Sequence, residues 1–356
     1  MDERIRKHAQ ILVEWSTEIE EGDNVIISAN PEAQELITAL YEEIGKKGGK
    51  PVTLYRSNEA SAAYLKNHEG ELQTPEHKLS LFKEADAVIS VRGDPNQKAM
   101  NNVPGEKVSS MSRANKPIND LLSEKRTSLT VFPTNSQAQL AGMSLEEYRD
   151  FVWNATLRDW EEVEEKQEIL KKKMDEASEV FIKGKDTEIE MNIAGNVGVN
   201  SSGKHNLPSG EVYIAPIPDS VEGEILFDLP IMHRGKEING VKLRFEDGEV
   251  VEYSAEKNEE ILENMLYTDE GARRLGELGI GTNRGIDRFT RNILFDEKMG
   301  DTIHLALGRA IPRSVGEDGE GNDSAVHVDM IKDMSEGTVE MDGETILKDG
   351  KFVWEL

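Results

Sequence analysis

Cysteine is absent from the whole 356-residue chain. That absence excludes disulfides, thiolate-bound zinc and a cysteine nucleophile. Any metal must be held by His, Asp, Glu or water, which favours zinc, cobalt, manganese or magnesium. No apolar run approaches the roughly 20 residues of a membrane span. The N-terminal MDERIRKHAQ is charged and lacks the apolar stretch of a signal peptide. The expectation is a soluble cytoplasmic protein with no membrane partner. Positive charge is also scarce: 42 lysines and arginines face 69 aspartates and glutamates, a net −27. A general nucleic-acid binder needs a basic footprint, so nucleic acid is not an expected partner. The acids are spread along the chain rather than gathered in a tail, as suits a halophilic protein kept soluble in high salt. The phosphate-binding patterns GxGxxG after a first strand and GxxxxGK[ST] are missing. The glycine-rich GIGTNRGI at 279–286 has the wrong spacing and, on this reading, no buried strand before it.

What is present divides the chain into two textures. Apolar residues recur at helical spacing in 3–21 and from Pro31 to Ile44. Short apolar runs suited to buried strands, NVIISAN, PVTLY, ADAVISVRGD and TSLTVFP, alternate with such segments, including helices expected at 58–67 and 75–84. That alternation predicts an α/β N-terminal domain with a mostly parallel sheet. Residues 144–177 read as helices, with Ser144 and Glu147 spaced as a capping box. They form a connector that closes a first domain at 1–175. From Glu179 onward, short strands separated by DG and GE turns predict an α+β C-terminal domain, 176–356, dominated by an antiparallel, barrel-like sheet. Only the segment around 256–278 reads as helical there.

The segment from Asn292 to Asp329 carries the chemistry. In TIHLALG, Ile303, Leu305 and Leu307 alternate with Thr302, His304 and Ala306. In SAVHVDM, Val326 and Val328 alternate with His327 and Asp329. Successive strand side chains point to opposite faces, so His327 and Asp329 share a face, about 7 Å apart along the strand. A lone histidine in an apolar strand is ordinarily a hydrogen-bonded core residue, so further ligands are needed. Glu211 opens the apolar strand GEVYIAP, where alone it reads as an exposed strand-end acid. Glu277 lies between Leu275 and Leu278, where a helix is expected to run into a glycine-rich exit. Glu270 reads as a helix-start acid, and Asp296 and Glu297 as part of an exposed turn, FDEKMG. Glu211, Glu277, His304, His327 and Asp329 together exceed the needs of one four-coordinate zinc. They suit two divalent metal ions, a pairing found in aminopeptidases, phosphatases and nucleases alike.

Five blocks narrow that choice: NLPSGEVYIAP, LGE, NILFDEK with IHLALG, NDSAVHVD, and, earlier, AGMSLEEYRDFV. In order and spacing they resemble the thermophilic-type metalloaminopeptidases, the aminopeptidase T and S family. The resemblance implies two domains, a homodimer around an internal cavity, and removal of N-terminal residues from peptides with two divalent metals (Zn, Co, Mn or Mg). It implies that Glu211, Glu277, His304, His327 and Asp329 are the metal ligands, with Glu277 also able to act as the base. The family commonly has a tyrosine seven residues after the first histidine; here that position is Ile311. A phenol can donate to a tetrahedral oxyanion and isoleucine cannot. Tyr213, on the Glu211 strand, is an alternative source of a hydroxyl.

The net charge carries a prediction about stability. Self-repulsion among the acids acts over ~30 Å at 0.01 M salt and only ~3 Å at 1 M. Melting temperature should therefore rise with salt across that range; a flat or falling profile in differential scanning calorimetry would show that repulsion does not limit the fold.

Overall fold

The apolar run NVIISA has no polar face to offer solvent, and it becomes the interior strand β1 (Asn24–Ala29), paired on both sides. The computed structural model describes residues 1–233 and 235–355. They divide into one unit of Met1–Arg158 with Gly203–Pro208, and a second of Asp159–Ser202 with Ser209 onward.

In the first unit, β2 (Lys50–Tyr55), β1, β3 (Ala87–Arg92) and β4 (Arg126–Val131) run parallel in that order. The short segment Asn206–Leu207 extends the sheet beside β4. Helices α2 (Gln34–Lys47), α3 (Asn58–Asn67) and α4 (Glu76–Lys83) fall where helical periodicity predicts them, while α1 (Glu3–Ile11) covers only the first part of the expected 3–21 segment, whose helical backbone ends at Ser16. Leu36, Leu40 and Ile44 form a fully buried stripe on α2, which Gly48 ends in the left-handed conformation. α5 (Gly105–Ser123) has little sequence signature, because only Ile118 is buried and Pro117 interrupts its hydrogen bonds. α6 (Asn135–Leu140) and α7 (Leu145–Thr156) both begin with capping boxes, the second being Ser144 with Glu147.

The second unit begins with α8 (Trp160–Glu176), expected as a connector. Its Leu170 and Met174 are buried in this unit's own core. Strands β5 (Glu179–Gly184), β6 (Thr187–Asn192) and β7 (Val199–Ser201) follow. After Asn206–Leu207, here β8, come β9 (Glu211–Ile214), β10 (Glu222–Phe227), β11 (Ile231–His233) and β12 (Lys236–Ile238). β13 (Val241–Glu246), β14 (Glu249–Ser254), α9 (Glu259–Leu266) and β15 (Leu275–Gly281) continue the chain. The last elements are α10 (Ile293–Asp296), β16 (Thr302–Gly308), β17 (His327–Asp333), β18 (Thr338–Met341), β19 (Glu344–Lys348) and β20 (Lys351–Phe352).

These strands form an eight-stranded antiparallel sheet, β14-β13-β10-β6-β5-β18-β19-β20, and a five-stranded one, β17-β16-β15-β9-β7. The expectation of a barrel-like sheet is corrected: no closed barrel forms among the described residues. The two sheets instead share one core, in which Val180, Ile182, Ile189 and Ile225 meet Val212, Leu278, Leu305 and Met330. Burying one face of each sheet in a common layer satisfies the alternating pattern without closure.

Candidate metal centre

The five-stranded sheet sorts its side chains by the pleat. Val212 and Ile214 of β9, Leu278 and Ile280 of β15, Ile303 and Leu305 of β16, and Val328 and Met330 of β17 turn toward the core. The intervening residues therefore share the opposite face: Glu211 and Tyr213, Glu277 and Gly279, His304, then His327 and Asp329. Register brings them side by side. Gly281 pairs with Glu211, Gly279 with His304 and Tyr213, and Ala306 with both Glu277 and Asp329. A bulge between Leu275 and Glu277 sets that last alignment.

All five residues singled out from the sequence meet there. His304 Nε2 lies 3.2 Å from Glu277 Oε1 and 3.7 Å from Glu211 Oε2. His327 Nε2 lies 3.4 Å from Asp329 Oδ1 and 3.8 Å from Glu277 Oε2. Ligand atoms of Glu277, His304 and Asp329 all fall within 4.8 Å of one another. His327 Nδ1 donates to the Arg309 carbonyl at 2.7 Å. A carbonyl can only accept, so the proton is held on Nδ1 and Nε2 is aimed at the cluster, the usual outer support of a metal-binding imidazole.

Small residues make the room. A Cβ on Gly279 would sit 2.1 Å from His304 Cε1 and Nε2, so the imidazole occupies the space a side chain would fill. A Cβ on Gly281 would meet the Met299 carbonyl at 2.0 Å. The absence of that Cβ admits the 297–299 backbone against β15. Gln167 of α8 donates to the Glu211 carbonyl at 2.5 Å and anchors the strand from behind.

Three expectations need correction. Glu277 is not on a helix: Leu275–Gly281 is a strand with every residue buried, and the helical segment ends at Leu266. GIGTNRGI therefore does follow a buried strand, but an antiparallel one with no helix behind it, so it makes no dinucleotide loop. FDEKMG is not an exposed turn. Asp296 is buried and accepts from the Thr290 backbone and hydroxyl at 2.7 and 2.8 Å. Glu270, by contrast, does start a short 3-10 turn and is exposed.

That buried turn contributes two site residues the sequence reading passed over. Lys298, with no exposed side-chain surface, lies 3.4 Å from Glu211 Oε1 and is ion-paired with Glu297. The signal was available: Leu294 and Phe295 flank the charges and are buried at 4% and 0% exposure. Charged residues immediately after such a pair are carried inward with it.

The electrostatics follow from crowding acids in a dry place. Burial pushes Glu211 and Glu277 above the ordinary carboxylate range, against the pull of Lys298 and His304. Glu297 is raised by burial too, opposed by Lys298. Burial would also raise Asp329, but contact with His327 and the nearby cations hold it at about 2. Burial disfavours the charged imidazoles, yet Glu277, Glu211 and Asp329 raise His304 to about 9, and Asp329 and Glu277 raise His327 to about 10. Tyr213 is buried beside the acids, which with burial raise its phenol, while Arg313 opposes them.

Divalent cations fit this donor set. Glu277 Oε2 and His304 Nδ1 are buried without a hydrogen-bond partner. Once the imidazoles give up their protons to act as donors, Glu211, Glu277, Glu297 and Asp329 face the single positive charge of Lys298. Such an excess of buried negative charge is costly unless cations neutralise it.

Comparison with known proteins agrees. Residues 1–352 match the family described as thermophilic metalloprotease (M29). Aminopeptidase T of Thermus thermophilus is 30% identical, with 97% of this chain and 95% of that protein aligned. The solved structure of wild-type AmpT from Thermus thermophilus superposes with a TM-score of 0.87 at 27% identity, covering 98% of this chain and 99% of that one. A 2,5-dihydroxypyridine dioxygenase from Pseudomonas putida shares the fold alone, with a TM-score of 0.62 at 14% identity over 98% of this chain and 96% of its own.

The Gly279 cleft gives a test that leaves every ligand in place. Gly279→Ala should displace the His304 ring and weaken divalent-metal binding ~10–100-fold, the range for disturbed ligand support. In the metal-free chain both raised imidazoles are charged at neutral pH. Their stabilising pairing is complete below the ordinary histidine pKa and is lost as pH rises through about 9 to 10. Metal must expel those protons, so wild-type affinity should increase from about pH 6 to about pH 8. Calorimetric titration with zinc reads both effects. A variant of wild-type affinity would show that His304 does not need the cleft, and pH-independent affinity would show that proton displacement does not accompany uptake.

Proposed function

The chain belongs to the thermophilic metalloprotease family M29, and from that membership and the site geometry we propose a dinuclear-metal aminopeptidase that removes N-terminal residues from peptides one at a time. The observation that carries the reading is the convergence of Glu211, Glu277, His304, His327 and Asp329 on one face of one sheet. These five residues would hold two divalent ions, with zinc, cobalt, manganese and magnesium all compatible with oxygen and nitrogen donors. When bound, such ions polarise the scissile carbonyl and acidify a water at neutral pH.

The chain's own groups do the rest. Glu277 Oε2, buried without a hydrogen-bond partner, takes the proton of the attacking water and returns it to the leaving amine. The substrate's ammonium meets the carboxylates at the Glu211–Glu297 side of the cluster, where Lys298 fixes both acids. A peptide with a blocked amine loses that contact, which enforces exopeptidase action. We propose Tyr213 as the oxyanion donor in place of a residue at 311. It lies on the Glu211 face of β9 and is buried, whereas Ile311 stands outside the strands at the start of a 3-10 turn. The two compact units would correspond to the two domains, and the assembly would be a cytoplasmic homodimer, read by light scattering as about twice 39.8 kDa.

One observation favours a second reading. Ile311 cannot donate, so unless Tyr213 supplies the hydroxyl the same site would serve another amide substrate or belong to a catalytically weak metal-binding dimer. A panel of aminoacyl p-nitroanilides with each of the four metals, a chelator control and N-acetylated counterparts separates the two. Hydrolysis of free-amine substrates alone, abolished by chelator and by His327→Ala with its loss of metal, is the expected result. Tyr213→Phe should lower turnover ~10²–10³-fold with metal content unchanged, and Ile311→Tyr should leave turnover near wild type. Full activity of Tyr213→Phe would remove Tyr213 from the mechanism. Cleavage of blocked amides would favour the amidohydrolase.

A further inference from the structure

In the first unit the strand order β2-β1-β3-β4 reverses at β1, because the chain passes from β1 to β2 on one side and then back to β3 on the other. Open parallel sheets bind ligands outside the carboxyl ends of the strands at such a reversal. Asn30, directly after β1, floors this place and is 1% exposed. Its side chain accepts from the Gly93 N–H at 3.0 Å and donates to Asp94 Oδ1 at 3.0 Å and to the Arg56 carbonyl at 3.4 Å. Asn58 donates to the same Asp94 oxygen at 2.6 Å, and the hydroxyls of Thr134 and Ser136 donate to the Asp94 carbonyl at 3.1 and 2.5 Å. Tyr55 and Val91 pair with Ala29 from either side, so Arg56 and Arg92 stand one step further on, flanking Asn30. By strand alternation they share the face of Leu54 and Val88, against which α4 packs Leu79 and Phe82. Lys78 belongs to the first turn of α4.

Arg56 lies close enough to Arg92 and to Lys78 to repel both charges. Among the described residues none of these three cations forms an ion pair or donates a side-chain hydrogen bond. Lys78 meets the Phe82 ring, at 5.6 Å from its centroid. Asp94 attracts Arg92, but its Oδ1 is engaged by Asn30 and Asn58. Cations that converge without a counterion are unusual in a chain that carries 69 acids against 42 bases. We propose that Arg56, Arg92 and Lys78 form a binding site for a phosphate group, taken free or on a small monoester. A dianion answers three positive charges better than a monocarboxylate does, and planar guanidiniums match phosphate oxygens in bidentate pairs. The distant acids do not cancel the site, because their field is screened beyond about 8 Å at physiological salt. The floor supplies rigidity: Asn30 holds the backbone of Arg56 on one side and, through Gly93, the backbone next to Arg92 on the other. The site uses no residue of the metal centre and does not depend on the aminopeptidase reading.

The test is calorimetric titration of the full chain with inorganic phosphate near neutral pH in about 0.15 M sodium chloride. Arg56→Gln and Arg92→Gln should each weaken phosphate binding at least ~10-fold, the scale of one lost charged hydrogen bond. Lys116→Gln removes an equal charge, one already paired with Asp120, and should leave the affinity as in wild type. Phosphate held by metal would survive both arginine substitutions, so the heat they abolish belongs to this site. A second readout needs no ligand: without phosphate, both arginine variants should melt no lower than Lys116→Gln, because each relieves a repulsion. If an arginine variant fails to fold, Lys78→Gln carries the same titration. Glycerol phosphate in place of inorganic phosphate identifies the source, tighter binding marking an esterified ligand and weaker binding a free one; both support the site. Absence of phosphate binding at millimolar concentration would overturn it, as would binding indifferent to all three substitutions or acetate binding as tightly as phosphate. A fall in sedimentation mass of Arg92→Gln would overturn it too, since carboxylates of a second copy would then be what the cations hold.

Discussion

Crowding carboxylates onto one buried sheet face is the constraint that the rest of the second unit answers. Glu211 and Glu277 are 4% and 3% exposed, and Asp329 and Glu297 stand beside them. Isolated buried carboxylates protonate or drive the segment out to water. Here they remain because positive groups are brought to them from two directions. Lys298 arrives on a buried turn, and His304 and His327 arrive on adjacent strands. The glycines of β15 are the geometric condition for both arrivals, Gly279 for the imidazole and Gly281 for the turn. Divalent cations complete the neutralisation, so metal binding and the stability of this face are linked.

The parts legible in the sequence are those where one physical signal acts alone. The parallel unit reads correctly because β1 and β3 carry apolar runs and α2 carries a clear stripe of Leu36, Leu40 and Ile44. His304, His327 and Asp329 stand out because each interrupts a period-two pattern whose apolar half is intact. Glu277 attracts attention for its apolar neighbours, but its strand is misread as a helix exit. LGELGIG alternates glycine with aliphatic residues, and glycine in a strand marks close approach rather than a break. α5 is missed for the opposite reason, since it buries little and its pattern is correspondingly faint. Lys298 and Glu297 are missed because charge density in FDEKMG looks like solvation, and only the fold supplies the partners that make burial tolerable.

The fold by itself leaves the reaction open. A dioxygenase at 14% identity shares the architecture over nearly the whole chain, so two-unit topology and antiparallel sheets are compatible with quite different chemistry. What the chain adds to that fold is a local donor set: three carboxylates and two imidazoles converging, with a buried lysine–glutamate pair alongside. Such a mixed oxygen and nitrogen set suits zinc, cobalt, manganese or magnesium and leaves acids available for proton transfer. The donor set fits a metal centre, and the family match over residues 1–352 is what narrows its chemistry to that of a peptidase.

The pleat ties this chemistry to stability more tightly than a loop-borne site would. Every candidate ligand has apolar residues as its immediate neighbours: Val212 beside Glu211, Leu278 beside Glu277, Ile303 and Leu305 around His304, Val328 between His327 and Asp329. A slip of one residue in register would send the acids into the apolar layer and the aliphatic side chains into the site. Both errors are costly at once, so the hydrophobic core and the charged cluster select the same register. Among the described residues of this sheet, the bulge at Leu275–Glu277 is where that pairing is adjusted, and it lies next to the carboxylate that touches both histidines. Precision in the site is thus inherited from aliphatic packing on the reverse face. Site placement should consequently be more sensitive to changes of volume at Leu278 or Leu305 than to changes on the exposed surface of the unit.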